Sequence, residues 1–309
     1  MHWRTRLVTK NQDNKAESTA LVVAGYGRRG KIHTSEGDYP FLCKGRRIRP
    51  VCGDIVTWTK NEQEKDAVVD AVNPRQNELQ RSGHRGKPEV LAANVDMIFI
   101  IIATQPKYDP FLIDRYLAAA GNMDCEAVIV LNKCDLSNGE NILGEYSALG
   151  YRTLKASAKS GTGVDAIEEL LHNKSGLLVG QSGVGKSSLI NALVPDADAA
   201  VAEISEASLE GKHTTTASMM HPLKQGDGWL IDSPGVRDFL PYIGDTRSVQ
   251  AGFIEIARAA EQCRFANCQH LREPGCAVKE QVESGDISQH RYDSYKRLYH
   301  MTDDAKLKP

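Results

Sequence analysis

Eight residues, Gly180-Gln181-Ser182-Gly183-Val184-Gly185-Lys186-Ser187, spell the pattern G-x-x-x-x-G-K-S. Glycines at those places let successive backbone N–H groups converge on a phosphate beside a positively polarised helix N-terminus. Lys186 would reach the β- and γ-phosphates of a nucleoside triphosphate. Ser187, with Ser188 next to it, would turn its hydroxyl to Mg²⁺. About 45 residues later, Asp232-Ser233-Pro234-Gly235 follows an apolar run. There Asp232 can hold the Mg²⁺ shell through water, and the Gly235 N–H can touch the γ-phosphate.

Asn132-Lys133-Cys134-Asp135 and Ser157-Ala158-Lys159 supply the base-reading chemistry. A buried Asp135 carboxylate accepts from N1–H and the 2-amino group of guanine. Adenine offers neither donor, so an ATP complex would leave that carboxylate unpaired at a cost of kcal/mol. The Lys133 stem can cover the base, Asn132 can brace neighbouring loops, and the backbone of 157–159 can contact guanine O6. In a GTPase of ordinary connectivity both motifs come after the phosphate loop. Here both precede it, which reads as a circularly permuted GTPase.

Between the phosphate loop and Asp232 lies Gly211-Lys212-His213-Thr214-Thr215-Thr216. One threonine must reach Mg²⁺ and the γ-phosphate; Thr215 is the choice, with Thr214 and Thr216 open. The position after D-x-x-G, where Ras-like enzymes keep a water-orienting glutamine, is Val236, which neither donates nor accepts. His213 is the nearby group able to orient water or act as a weak general base.

Cys263, Cys268, His270 and Cys276 place three thiols and an imidazole within fourteen residues. That set closes a tetrahedral shell of the kind Zn²⁺ takes in structural sites, with no position left for water. A third feature is electrostatic. Residues 1–87 carry 17 Lys/Arg against 10 Asp/Glu. Arg28, Arg29, Lys31, Lys44, Arg46, Arg47 and Arg49 crowd one stretch, an expected footprint for phosphate backbones. Tyr26, Tyr39 and Phe41 are expected to add stacking platforms. Arg264, His290, Arg291, Lys296 and Arg297 are expected to add contacts from the C-terminal region.

The elements that must position these groups fall into three regions. Five short β-like runs within 19–74 suggest a five-stranded barrel, for which the oligonucleotide-binding (OB) type is the commonest case. Residues 1–18 read as a flexible tail and 75–90 as a polar linker. Residues 91–245 alternate strand and helix, which implies an α/β domain with a parallel sheet between helices. Residues 246–309 read as helical and zinc-binding, with helices over 249–261, 277–285 and 288–301 and a disordered tail from 303. Composition, at 41% hydrophobic, 25% charged and a net charge of −2, is ordinary for a soluble globular protein. The apolar run 97–103 is too short to cross a bilayer. No signal peptide is expected at the N-terminus, and the clustered cysteines favour a reduced cytoplasmic setting.

The whole order of barrel, N-K-C-D, S-A-K, G-Q-S-G-V-G-K-S, H-T-T-T, D-S-P-G and C-x₄-C-x-H-x₅-C closely resembles the bacterial ribosome small-subunit-dependent GTPase A family over about residues 19–300. The resemblance implies an OB-type barrel, a permuted P-loop GTPase domain and a C-terminal zinc-binding helical domain. It implies GTP and GDP as ligands, with Mg²⁺ and one structural Zn²⁺. It also implies a role in late maturation of the 30S subunit, with hydrolysis stimulated by that particle. The expected partners are therefore the 30S subunit and its 16S rRNA, with no membrane, no DNA and a monomeric chain. Two other readings stay open: an assembly factor that holds GTP as a structural ligand, and a regulatory GTPase acting on a protein.

Overall fold

The computed structural model describes residues 18–60, 66–82, 88–136, 140–194, 218–224, 227–232, 242 and 245–306. The N-terminal tail therefore lies outside it, except Ser18, which begins the first strand. Strands β1 (Ser18–Tyr26), β2 (Arg29–Thr34), β3 (Gly37–Cys43), β4 (Ile55–Lys60) and β5 (Ala67–Val72) run in the order β1-β2-β3-β5-β4, and β4 pairs back onto β1. The sheet thus closes into a five-stranded barrel filled by Ala20, Val22, Ile32, Phe41, Val56 and Val69. Gly30 lies opposite Phe41 in the ladder, and a Cβ there would strike the phenyl ring.

Of residues 75–90, expected as a linker, the described ones (75–82 and 88–90) carry structure instead. Strands β6 (Glu78–Ser82) and β7 (Pro88–Ala93) form a hairpin. Buried Asp54 explains how this polar segment is held to the barrel. Its two oxygens accept from Arg75 Nε and Nη2 at 2.7 and 2.8 Å. Asn77 and Asn94 close the other end with side-chain bonds to Val95, Gln76 and Gly53. Polarity here comes from residues that pair with one another, not from a solvated connector.

The second region contains β8 (Met97–Ile102), α1 (Pro110–Asn122), β9 (Glu126–Leu131), α2 (Glu140–Ala148), β10 (Arg152–Lys155), α3 (Val164–Leu170), β11 (Ser175–Val179), α4 (Lys186–Leu193), β12 (Met219–Pro222) and β13 (Trp229–Asp232). Its strand order is β10-β9-β8-β11-β13-β12. All six residues of β8 are buried because helices cover both faces of the sheet. Ile98, Ile100 and Ile102 enter one core, while Met97, Phe99 and Ile101 enter the other. Each such side chain stabilises by about 1.5–3 kcal/mol on burial. The expected all-parallel sheet is corrected at its edge, where β12 runs antiparallel to β13. β12 also pairs with β1 through Ala24 and Met219, so barrel and α/β domain share one sheet.

The C-terminal region holds α5 (Thr246–Ala251), α6 (Ile254–Ala260), α7 (Ala277–Ser284) and α8 (Gln289–Lys306). The single helix expected over 249–261 is two. Gly252 breaks it by packing so closely on α1 that a Cβ would overlap Ala118. The final helix outruns its expected end, running to Lys306 with Thr302 buried and its Oγ1 donating to Leu298 O at 2.9 Å. Among the described residues no helix is long and apolar enough to cross a membrane.

Candidate nucleotide site and metal centre

Buried β11 runs straight into the phosphate-loop residues, and α4 begins at Lys186. Gly180 and Gly185 hold φ near +141° and +93°, where a side chain is strained. Their surroundings forbid one as well. A Cβ at Gly180 would overlap Ile101 O, and one at Gly185 would overlap Asn132 Nδ2. Val184 is buried beneath the loop, whereas Ser182, Gly183, Ser187 and Ser188 are exposed along it. Lys186 is buried, and its ammonium donates to Gly180 O at 2.5 Å and Gln181 O at 2.6 Å.

The motif that precedes the loop in sequence is brought against it in space. Asn132, at the carboxyl end of β9, is buried and donates from Nδ2 to Val184 O at 2.8 Å. Lys133 Nζ donates to Gly183 O at 2.7 Å and to Gln105 O at 3.1 Å. Ser157 is buried, and its hydroxyl donates to Asp135 Oδ1 at 2.7 Å, tying segments 132–135 and 157–159 together. Ala158 is half-buried and Lys159 is exposed. Asp135 is corrected from buried to exposed, because it stands on the loop beyond β9, outside the core.

The segment after β8 went unread in the sequence. Gln181 Nε2 donates to Lys107 O at 2.9 Å, so residues 105–107 hold the phosphate loop and Lys133 together through their carbonyls. Backbone acceptors carry no residue signature; the only cue was the position of 105–107 at a strand's carboxyl end.

Asp232 ends β13, half-buried and in register with Met219. Its carboxylate acts on the barrel: burial first, then Asp54 and Asp232, push the Cys52 thiol well above its ordinary range. His213, Thr214, Thr215, Thr216, Gly235 and Val236 lie outside the described residues.

The four Cys/His side chains converge, with ligand atoms of Cys263, Cys268, His270 and Cys276 all within 4.8 Å of one another. His270 turns Nδ1 to the thiols, at 3.5 Å from Cys263 Sγ and 3.4 Å from Cys276 Sγ. Burial raises the thiols of Cys268 and Cys276 and lowers His270. Three crowded thiols, two of them buried, beside an imidazole form a donor set that fits a divalent metal ion.

Glu273, also unread in the sequence, organises this loop. Its carboxylate accepts backbone N–H bonds from Gln269, Leu271 and Arg272, each at 3.0 Å. Burial alone would raise its pKa, but these donors bring it down to about 2. Glu273→Gln replaces one acceptor oxygen with a donor facing N–H groups. Affinity of the cluster for a divalent metal ion should therefore fall by about 10- to 100-fold, the usual effect of losing an outer-shell partner. Competition against a chromophoric chelator measures it, and an affinity within twofold of wild type would refute the clamp.

All seven clustered cations of the barrel are exposed. Arg28 Nη2 donates to Cys43 O at 3.0 Å, which places the β1–β2 turn and the segment after β3 at one end of the barrel. There Arg47, Arg49, Asn73, Arg75 and Glu78 line a groove of about 500 Å³, with Arg75 paired to Glu78. Two expectations are corrected. Phe41 points inward at 2% exposure and offers no platform, because the hole at Gly30 receives it. Arg291 is fully buried and cannot touch an outside partner; it pairs with Asp114 and Glu255. Tyr39 stacks on Trp58 with ring centroids 5.7 Å apart, and Tyr26 remains exposed.

The profile of the RsgA GTPase family matches residues 72–240. The Small ribosomal subunit biogenesis GTPase RsgA of Actinobacillus succinogenes is 38% identical, covering 98% of this chain and 88% of that protein. The protein of the same name from Pseudomonas syringae pv. syringae is 40% identical over 91% of this chain and 85% of its own. The crystal structure of YjeQ from Thermotoga maritima superposes with a TM-score of 0.73 at 27% identity, covering 92% of this chain and 98% of that one. YloQ, a circularly permuted GTPase, superposes with a TM-score of 0.71 at 24% identity and covers 96% and 98%, a likeness of fold.

Proposed function

The chain belongs to the RsgA GTPase family and is a GTP-hydrolysing enzyme, and from that premise we propose that it acts on the 30S ribosomal subunit in its late maturation, with turnover stimulated by that particle. One observation carries the proposal. The basic cluster lies in the β1–β2 turn, in β2 and in the segment after β3, and β1, which leads into that turn, is hydrogen-bonded to β12, the neighbour of the strand that ends in Asp232. A phosphate-rich partner at the barrel is thereby joined through one sheet to the nucleotide site. The relatives' name, a GTPase of small ribosomal subunit biogenesis, supports the small subunit as that partner, and 16S rRNA is the phosphate-rich surface we take it to offer. In this reading the chain is a cytoplasmic monomer that engages neither membrane nor DNA.

The residues would divide the work as follows. Lys186 exchanges the carbonyls of Gly180 and Gln181 for the β- and γ-phosphate oxygens of GTP. The backbone N–H groups of 182–186 cradle the phosphates, and those of 187 and 188 continue the cradle into α4. Asn132 and Lys133 keep the loop in shape, Asp135 reads guanine, and the backbone of 157–159 meets O6. Ser187 and Thr215 would hold Mg²⁺ directly and Asp232 through water; the ion neutralises charge on the β- and γ-oxygens. Gly235 contacts the γ-phosphate, so GTP orders the segments around Thr215 and Gly235 and hydrolysis releases them. Cys263, Cys268, His270 and Cys276 would hold one structural Zn²⁺.

The test is GTP turnover by the full chain with 30S subunits, with 50S subunits and alone. A large rise with 30S only is expected, and a flat response would remove the ribosome as activator, leaving GTP a structural ligand. Since Val236 cannot orient water, His213 takes that role. His213→Ala should lower 30S-stimulated turnover about 10²-fold or more. Turnover at the wild-type rate would exclude it.

A further inference from the structure

Helix α8 holds both candidate centres at once. Tyr292 donates its hydroxyl to His270 O at 2.5 Å and Tyr295 donates to Gln269 O at 3.0 Å, so α8 grips the backbone of the metal loop. One residue away, Arg291 turns into the α/β domain. Its Nη1 donates to Asp114 Oδ1 of α1 at 2.7 Å, and Nε and Nη2 donate to Glu255 of α6 at 2.6 and 3.0 Å. Tyr146 of α2 donates to the same Asp114 oxygen at 2.8 Å. Asp114 and Arg291 are both fully buried.

The far ends of this connection are the nucleotide segments. Helix α1 starts at Pro110, separated by two residues from 105–107, whose carbonyls hold Lys133 and Gln181. Asp109 caps it by accepting from Phe111 N at 3.0 Å. Phe111 in that first turn lies under the Arg297 guanidinium of α8, 3.9 Å from the ring centroid. A cluster of buried charges tolerates few arrangements, because any shift leaves a charge unpaired in a low-dielectric interior. A displacement of α8 therefore moves α1 as a body, and with it the carbonyls that fix the phosphate loop.

Resting on the nucleotide and metal sites proposed above, we infer that Arg291 is a positioning residue for the nucleotide site and couples guanine-nucleotide binding to metal binding at Cys263, Cys268, His270 and Cys276. A coupling free energy acts in both directions, so each ligand tightens the other by the same factor.

The experiment measures the dissociation constant of fluorescent GDP on the full chain, zinc-loaded and chelator-stripped, and of zinc with and without GDP. Stripping should weaken GDP by about tenfold, and GDP should tighten zinc by the same factor. Tyr146→Phe removes only the hydroxyl from Asp114, and Arg291→Lys keeps the charge but loses the two-pronged geometry. Both should bring the factor towards one; Tyr146→Phe carries the test if Arg291→Lys does not fold. A GDP constant that moves less than twofold on stripping overturns the inference, whether or not the C-terminal helices melt. So does a wild-type factor in Tyr146→Phe. A chain that binds no guanine nucleotide overturns the site reading itself, a result distinct from binding without coupling.

Discussion

Asp135→Asn is expected to weaken GTP and GDP binding by about 10²- to 10⁴-fold. The carboxylate would accept two N–H donors from the guanine edge, and hydrogen bonds to a charged group contribute about 1.5–3 kcal/mol each. The amide keeps one acceptor and turns a donor towards the 2-amino group. Ser157 can still donate to the remaining oxygen, as it does now to Asp135 Oδ1 at 2.7 Å. The loop should therefore hold its position, and the loss falls on base recognition. Because Asp135 is exposed, its desolvation comes when the base covers it, so discrimination is strongest in the closed complex. Xanthine carries an oxygen where guanine carries the amine, so the variant should gain preference for xanthosine nucleotides. Titration with fluorescent GDP and its xanthosine analogue reads both effects. GDP affinity within threefold of wild type would remove Asp135 from the guanine site.

Features legible in the sequence were those fixed by local chemistry. Glycine at 180 and 185 marks backbone that no side chain could enter, and the packing at Ile101 and Asn132 gives the reason. The Cys/His spacing announced a converged cluster because four ligands in fourteen residues leave the loop little freedom. Illegible features were made by partners distant in the chain. Arg291 looks like any surface arginine of a polar helix, and only Asp114 and Glu255, far away in sequence, make it a core residue. The polar run 75–90 read as a linker because the match of Arg75 to Asp54 spans two elements. Phe41 did leave a cue: Gly30 in the neighbouring strand is the hole its ring fills.

Arg291→Ala should be the most destabilising single change in the C-terminal half, costing about 3–5 kcal/mol, the usual result of breaking a buried ion pair from one side. The guanidinium donates to Oδ1 of Asp114 and to both oxygens of Glu255, and it lies 4.5 Å from the centroid of the Phe253 ring. Without it, Asp114 keeps the Tyr146 hydroxyl and the His290 ring, 3.9 Å from Oδ2, but stays fully buried with its guanidinium partner gone. Domain stabilities are about 5–15 kcal/mol, so the loss is a large share of the total, and the melting transition should fall by roughly 10 °C. The Lys296–Asp293 pair on the same helix is a suitable contrast. At 2.9 Å it is nearly as short as the 2.6 and 2.7 Å pairs of Arg291, but both its side chains are solvent-exposed, so Lys296→Ala should cost under about 1 kcal/mol. Non-additivity is the sharper signature. Replacing Arg291, Asp114 and Glu255 together by apolar residues of similar volume should cost less than Arg291→Ala alone, because no buried charge is left behind. Thermal melts of the three variants decide it. An Arg291→Ala protein melting within 2 °C of wild type would mean that solvent reaches this cluster and the buried charges hold nothing together.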